Sequence, residues 1–203
     1  MQGMVRTIFQ EINLLCQTKQ RIIIGIDGRC GAGKTTFAAF LQKVYECNVV
    51  HMDHFFLRPI QRQMERTNEA GGNIDWDRLL KEVIHPLEQG KTFNYRPYDC
   101  KKQQFLDSIQ LNPKKLTIIE GSYSCHPKLV EEYDLKFFNT VSEKEQLRRI
   151  KSRNGEQAAQ IFKEKWIPLE EFYFSTYNIE KNCEIYFNSE MYTNMGLNPA
   201  SRE

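Results

Sequence analysis

Long hydrophobic runs are missing from this chain. No apolar stretch in its 203 residues approaches the roughly 20 residues that a membrane-crossing helix needs. The N-terminus has no charged-then-apolar pattern ending in a small-residue cleavage site, so no signal peptide is expected. Cys16, Cys30, Cys47, Cys100, Cys125 and Cys183 are scattered with no C-x-x-C pair, which argues against a zinc site or a disulfide framework and for a reducing, cytoplasmic setting. His51, His54, His85 and His126 lack metal-ligand spacing. The formal net charge is only +2, so no overall field draws the chain to nucleic acid or a membrane surface. No internal repeat or low-complexity linker divides it. The length fits one α/β domain, alone or with a lid.

The chain does contain a run from Ile22 to Thr35 in which apolar residues lead straight into Gly28-x-x-x-x-Gly33-Lys34-Thr35. This is the spacing of a phosphate-binding loop. Gly28, Gly31 and Gly33 let the backbone turn its N–H groups inward, with Ala32 between them. Lys34 adds a charge for the β- and γ-phosphates, Thr35 offers a hydroxyl to Mg²⁺, and a helix opening with Thr36 points its positive end at the same group. The flanks agree. Ile22, Ile23, Ile24 and Ile26 read as a strand buried on both faces, and Phe37, Phe40, Leu41 and Val44 fall at helical spacing. The motif implies a nucleoside triphosphate, ATP, with Mg²⁺. Cys30 inside the loop reads either as a thiol activated by Lys34 and the helix terminus or, more plainly, as a tolerated small residue.

Strands and helices alternate along the rest of the chain. Residues 4–16 read as an amphipathic helix (Val5, Ile8, Ile12, Leu15). Asn48–Met52, Leu116–Ile119, Leu135–Val141 and Glu184–Phe187 read as strands, and 92–111 as short strands around Tyr95-Arg96-Pro97-Tyr98-Asp99. The polar connection 57–73 is expected to be mobile. Asp75 reads as the N-cap of a helix carrying Trp76, Leu79, Leu80, Val83, Ile84 and Leu87, kinked at Pro86 and ended by Gly90. Pro127 marks a helix start. Ser142-x-x-Glu145 reads as a capping box for a helix stopped by Asn154-Gly155. A further helix over 156–178 is interrupted near Pro168, and 188–203 reads as a frayed tail. The expectation is a single domain over 1–203: a three-layer P-loop NTPase fold, α/β, with a central mostly parallel sheet, an N-terminal helix over 1–19 and a helical lid over 148–165.

In such a sheet ligands bind beyond the carboxyl ends of the strands. That places Asp53 and Glu120 on the edge that carries the phosphate loop. Asp53 can accept a hydroxyl proton or hold Mg²⁺ through water; a turn residue is the competing reading. Glu120 can serve as the second metal-side carboxylate. Arg148, Arg149, Lys151 and Arg153 crowd one helix. Arg149 and Arg153 are the candidates for covering the transferring phosphoryl group, against the plainer reading of a solvated face. Tyr98 or Phe55 can stack on a base, and Arg96 or Asp99 can hydrogen-bond a polar substrate; core packing of the aromatics competes equally.

Four blocks in order, Gly28–Thr35, Met52-Asp53-His54-Phe55-Phe56, Arg96-Pro97-Tyr98-Asp99 and Ile118-Ile119-Glu120-Gly121, make the chain resemble the uridine kinase and phosphoribulokinase-like branch of P-loop kinases over roughly residues 20–187. The resemblance implies ATP- and Mg²⁺-dependent phosphorylation of a small-molecule hydroxyl, foremost the 5′-hydroxyl of uridine or cytidine. Asp53 would be the general base and Tyr98 would line the nucleoside pocket. Asp75 would hold ribose hydroxyls, with Asp77 an equal candidate. Two positions depart from the family: Gln103 stands where a pyrimidine-reading His is usual, and His54 follows Asp53 where a second Asp is common. These leave other alcohols, nicotinamide riboside and pantothenate among them, as alternative acceptors. The partner expected is a nucleoside-like small molecule, with neither nucleic acid nor membrane; a homo-oligomer is left open. Rival readings are a non-kinase nucleotide-binding regulator and a nucleoside monophosphate kinase. A switch GTPase would need a guanine-reading Asn-Lys-x-Asp, which is absent.

Overall fold

Strand β1 (Ile22–Gly28) is buried along its whole length, which is why it tolerates almost nothing but β-branched apolar residues and glycine. A computed structural model of the protein describes residues 2–62 and 69–190, with side chains from Arg6 onward. Helix α1 (Gln2–Thr18) leads into β1, and helix α2 (Lys34–Tyr45) and strand β2 (Asn48–His51) follow it. Later in the chain, β7 (Leu116–Glu120), β8 (Leu135–Thr140) and β9 (Ile185–Asn188) complete a five-stranded sheet in the order β2-β7-β1-β8-β9. All four pairings are parallel.

The strand side chains alternate between two cores. Ile22, Ile24 and Ile26 pack with Ile8 and Ile12 of α1 and Phe37 and Leu41 of α2. Ile23, Val50, Ile119 and Phe138 pack on the other side with Leu79, Val83, Tyr173 and Phe174. Helices on both faces of a parallel sheet give the expected three layers.

Helix α3 runs without a break through Trp76–Leu79, Leu80–Ile84 and His85–Glu88, and its N-terminus is capped by Asp75, which accepts from the Arg78 amide. Pro86 does not break it. The middle segment is a π turn in which the His85 N–H reaches back to Leu80 O. Helix α5 repeats the arrangement: Glu156–Ile161, a π turn Phe162–Trp166 closed by Ile167 N–H on Phe162 O, then Ile167–Tyr177 with Pro168 near its start. A proline lacks the N–H and crowds the carbonyl four residues back, and a widened turn just before it absorbs that misfit. The α-helical bonding is thus interrupted just before Pro168, as expected, and likewise just before Pro86, while the chain stays helical through both.

Two further expectations fail. Pro127 opens no helix; only a 3₁₀ turn at Val130–Glu132 follows. Helix α4 (Glu143–Asn154) has Ser142 at its N-cap without a side-chain bond; the Glu145 carboxylate, which a capping box would turn back to the Ser142 amide, is taken by Arg148 and Arg149, and that amide donates to Glu190 at 2.6 Å instead. Gly155, at φ +85°, ends α4 as expected. Between α3 and β7, β3 (Phe93–Tyr95) pairs with β6 (Ile109–Leu111) and β4 (Tyr98–Asp99) with β5 (Gln104–Phe105), both antiparallel. The connection expected to be mobile falls partly on 63–68, and most of the expected tail on 191–203, outside the described residues. Among the described residues no helix is long and apolar enough to cross a membrane.

Candidate active site

The phosphate loop leaves β1 at Gly28, where φ is +126° and a Cβ would fall 1.9 Å from the Asn139 carbonyl oxygen of β8. Only glycine lets the strand turn there. Lys34 and Thr35 then open α2. The Lys34 ammonium rests on Gly28 O (2.5 Å) and Arg29 O (3.1 Å) and lies 3.5 Å from the Ser122 hydroxyl. It is buried and faces the loop it is expected to complete with phosphates.

Parallel register brings the ends of β1, β2 and β7 to one edge. Glu120, the last residue of β7, accepts the Thr35 hydroxyl at 3.1 Å and contacts His51 Nδ1 at 2.5 Å. Asp53 stands just past β2 in a 3₁₀ turn, Met52–Phe55. Its carboxyl is raised above the ordinary aspartate range, first by the protein surrounding it and then by the like charge of Glu120; Lys34, His51 and Arg153 act against the rise. Asp53 is exposed to solvent, which moderates these effects. Two carboxylates in mutual repulsion beside a threonine hydroxyl form a set of hard oxygen donors, and a divalent cation would relieve that repulsion. Mg²⁺ is bound through one or two carboxylates, with its other ligands from phosphates and water, and the Thr35, Glu120 and Asp53 oxygens are a donor set of that kind.

Beside Asp53 opens a cleft of about 490 Å³ lined by His54, Pro97, Gln104, Phe105, Leu106, Asp107 and Ile109. His54 contacts the Tyr95 hydroxyl at 3.2 Å, and burial together with the His51 charge holds its pKa down to about 4. It is neutral at pH 7 and reads hydrogen bonds rather than charge. Tyr98 is buried, with an edge contact to the Phe105 ring at 5.5 Å, so it shapes the wall through Phe105. Arg96 lies 5.1 Å over the same ring. The cleft takes Gln104 rather than Gln103, which turns at φ +53°.

Other residues singled out from sequence sit elsewhere. Phe55 is fully buried, stacked on Tyr95 and covered by the Arg78 guanidinium at 4.6 Å. Asp75 is buried, accepting from Gln61 Nε2 at 2.7 Å besides capping α3, while Asp77 is exposed. Arg149 is pinned, donating to Gly31 O at 3.1 Å, Ser189 Oγ at 2.8 Å and Glu145 at 2.8 Å. Arg153 is exposed and acts on Asp53 electrostatically. Cys30 is not an activated thiol: burial and then the Glu170 charge push it well above the ordinary cysteine value.

Sequence reading missed Ser122, Glu170 and His51. Ser122 donates to Glu170 at 2.5 Å, and Glu170 also accepts the Cys30 amide at 3.0 Å. Nothing local marks Glu170, which reaches the loop from 140 residues away; His51 carried a signal, two positions before Asp53 at the end of a strand.

The Phosphoribulokinase / Uridine kinase family matches residues 23–157. Uridine kinase of Ureaplasma parvum serovar 3 is 27% identical over 144 residues, covering 66% of this chain and 69% of that protein. Inorganic pyrophosphatase TTM2 of Arabidopsis thaliana is 29% identical over 133 residues, covering 64% of this chain but only 19% of that protein, so the chain spans about a fifth of that relative. In fold, the protein is similar to a Bacillus stearothermophilus structure described as a possible uridine kinase (TM-score 0.64, 18% identity, 89% of this chain and 99% of that one). It is also similar to phosphoribulokinase from Rhodobacter spheroides (TM-score 0.57, 16% identity, 83% and 70%). The family match begins in β1 and ends beyond α4, so it takes in the phosphate loop and both edge carboxylates, and the chain belongs to the phosphoribulokinase and uridine kinase family of P-loop kinases.

Proposed function

We propose that the protein transfers the γ-phosphoryl group of ATP to the 5′-hydroxyl of a pyrimidine nucleoside, uridine or cytidine, with Mg²⁺. The observation carrying this reading is the pairing of Asp53 with His54. Asp53 faces Lys34 and Glu120 on the phosphate side, and the next residue lines the acceptor cleft. A hydroxyl held in that cleft would meet Asp53 as its base.

Phosphoryl transfer asks the protein mainly for positioning and charge neutralisation. Lys34 and the amides of Gly31, Ala32, Gly33, Thr35 and Thr36 would bind the phosphates. Thr35 and Glu120, with Asp53 through water, would hold Mg²⁺, which supplies charge neutralisation at the β- and γ-oxygens. Asp53 would take the hydroxyl proton, and its raised pKa strengthens it as a base. Arg153, exposed and acting electrostatically on Asp53, would cover the phosphoryl group on closure. In the cleft, Phe105 offers a face for a base, Gln104 an amide that both donates and accepts, and His54 a neutral ring. Asp107 lines the cleft, but the Arg58, Arg78 and Arg96 guanidiniums lie over its Phe105 ring at 5.7, 4.9 and 5.1 Å, so the charge around the cleft does not separate a nucleoside from a nucleoside monophosphate as acceptor.

The test is ADP release from Mg·ATP against uridine, cytidine, other nucleosides, nicotinamide riboside, pantothenate and nucleoside monophosphates. Stimulation by uridine or cytidine is expected. Stimulation by a different alcohol alone would replace the acceptor, and ATP binding with no stimulation at all would overturn the kinase reading.

A further inference from the structure

Two buried carboxylates stand behind the phosphate loop and take no part in the chemistry above. Asp27, next to last in β1, has no exposed surface. It accepts four hydrogen bonds: from the Gly28 amide (2.7 Å), the Tyr123 amide (3.2 Å), the Cys125 amide (2.8 Å) and the Tyr173 hydroxyl (2.7 Å). The donors come from three separate segments: the phosphate loop, the turn after β7 and helix α5. Glu170 ties the same three together through Cys30 and Ser122, and Arg29 of the loop pairs with Glu171 at 2.9 Å. The loop is thus fastened from behind to α5 by consecutive acids and by Tyr173.

The turn after β7 has local bonds, Ser124 N–H to Gly121 O and His126 N–H to Tyr123 O, both at 3.2 Å, but they do not reach the Tyr123 and Cys125 amides. Tyr123 sits at φ +74°, a region that L residues with bulky side chains avoid. Asp27 binds the amide of Tyr123 itself and that of Cys125 two residues on. The same turn carries Ser122, the hydroxyl beside the Lys34 ammonium. An apolar side chain would fill the space at lower desolvation cost than a carboxylate. What the carboxylate adds is the simultaneous anchoring of four donors in fixed directions, which an acceptor-only group with several lone pairs can do and an amide cannot.

We propose that Asp27 is a positioning residue for the phosphate loop: through Gly28, the Ser122–Cys125 turn and Tyr173 it sets the place from which Lys34 meets the β- and γ-phosphates. Its effect on turnover rests on the kinase reading given above; its effect on nucleotide binding does not.

Asp27→Asn keeps the shape but turns N–H donors toward donor neighbours, and Tyr173→Phe removes one of the four bonds. Calorimetric binding of Mg·ATP, kcat, the two KM values and Tm are compared with the unaltered chain. Asp27→Asn is expected to weaken Mg·ATP binding about tenfold or more and Tyr173→Phe about threefold, the scale of lost hydrogen bonds to a charged group. The acceptor KM is expected to stay within about twofold while kcat falls, the signature of a displaced phosphate site rather than a loosened fold. Mg·ATP affinity within about twofold of the unaltered chain in both variants overturns the proposal, as does an acceptor KM that rises in step with the ATP KM as Tm falls. If Asp27→Asn does not fold, Tyr173→Phe decides by the same thresholds. If the unaltered chain binds Mg·ATP and phosphorylates no acceptor, the kinase reading fails and the affinity comparison still decides the role of Asp27.

Discussion

The Thr35 hydroxyl donates to Glu120 at 3.1 Å, joining the first turn of α2 to the carboxyl end of β7 across 85 residues of sequence. The two groups expected to share a divalent cation already touch. Glu120→Gln keeps the shape and removes the charge. The Mg²⁺ concentration for half-maximal activity should rise about 10–100-fold. Asp53 also loses the like charge that raises its pKa, so the acid limb of the kcat/KM profile should move to lower pH. A limb that stays in place would mean Asp53 does not titrate under the influence of Glu120.

Asp53→Asn should lower turnover by about 10²–10⁴-fold, the usual contribution of a positioned general base. Nothing holds ATP through Asp53 alone, so Mg·ATP binding measured by calorimetry should persist. Turnover close to that of the unaltered chain would remove Asp53 from the role of base.

The two basic-helix arginines should behave differently. Arg149 is held by Gly31, Ser189 and Glu145. Its replacement by Ala should cost about 1–3 kcal/mol of stability, read as a fall of roughly 2–4 °C in Tm per kcal/mol. Arg153 is exposed, so Arg153→Ala should leave Tm unchanged and lower kcat by about a hundredfold. Equal effects on Tm would contradict the division of labour.

His126 is buried against Trp76 at 4.4 Å and parallel to Tyr173 at 6.0 Å, and burial lowers its pKa from 6.5 to about 4. The unfolded chain therefore binds a proton that the folded one refuses between those values. Stability from this group is complete above pH 6.5 and is lost as pH falls toward 4, by up to about 3 kcal/mol. Urea unfolding across that range should show the loss, and His126→Phe should reduce it, leaving the part that His54 contributes over the same range.

Much of the fold was legible because its signals are local. Four isoleucines before a glycine-rich loop, then apolar residues at helical spacing, fix β1, the phosphate loop and α2 with no knowledge of the rest. Asp53 and Glu120 were legible because parallel sheets put strand ends on one edge. Asp75 was legible as a cap, since a cap is a contact three residues long. Where distant segments compete, local signals fail. Ser142-x-x-Glu145 has the capping-box pattern, but Glu190, 48 residues on, accepts the Ser142 amide at 2.6 Å, and Arg148 and Arg149 hold the Glu145 carboxylate. Pro86 and Pro168 carry a breaking signal, but packing of α3 and α5 on the sheet outweighs it and the helices widen instead of ending.

The sequence by itself thus determined the order of the sheet strands and of the helices other than the one expected at Pro127, the phosphate loop and the two acids at the sheet edge, because each depends on periodicity, glycine spacing or strand ends. Only the tertiary structure decided which basic residue is buried and pinned and which is exposed, that Phe55 belongs to the core, that Phe105, Gln104 and His54 line one cleft, and that Asp27, Glu170 and Tyr173 hold the loop from behind. Many of those contacts join residues far apart in sequence, up to 146 residues for Tyr173 and Asp27. Their partners come from separate layers, and hydrogen-bond geometry between layers is set by how the helices pack on the sheet, which no window of neighbouring residues encodes.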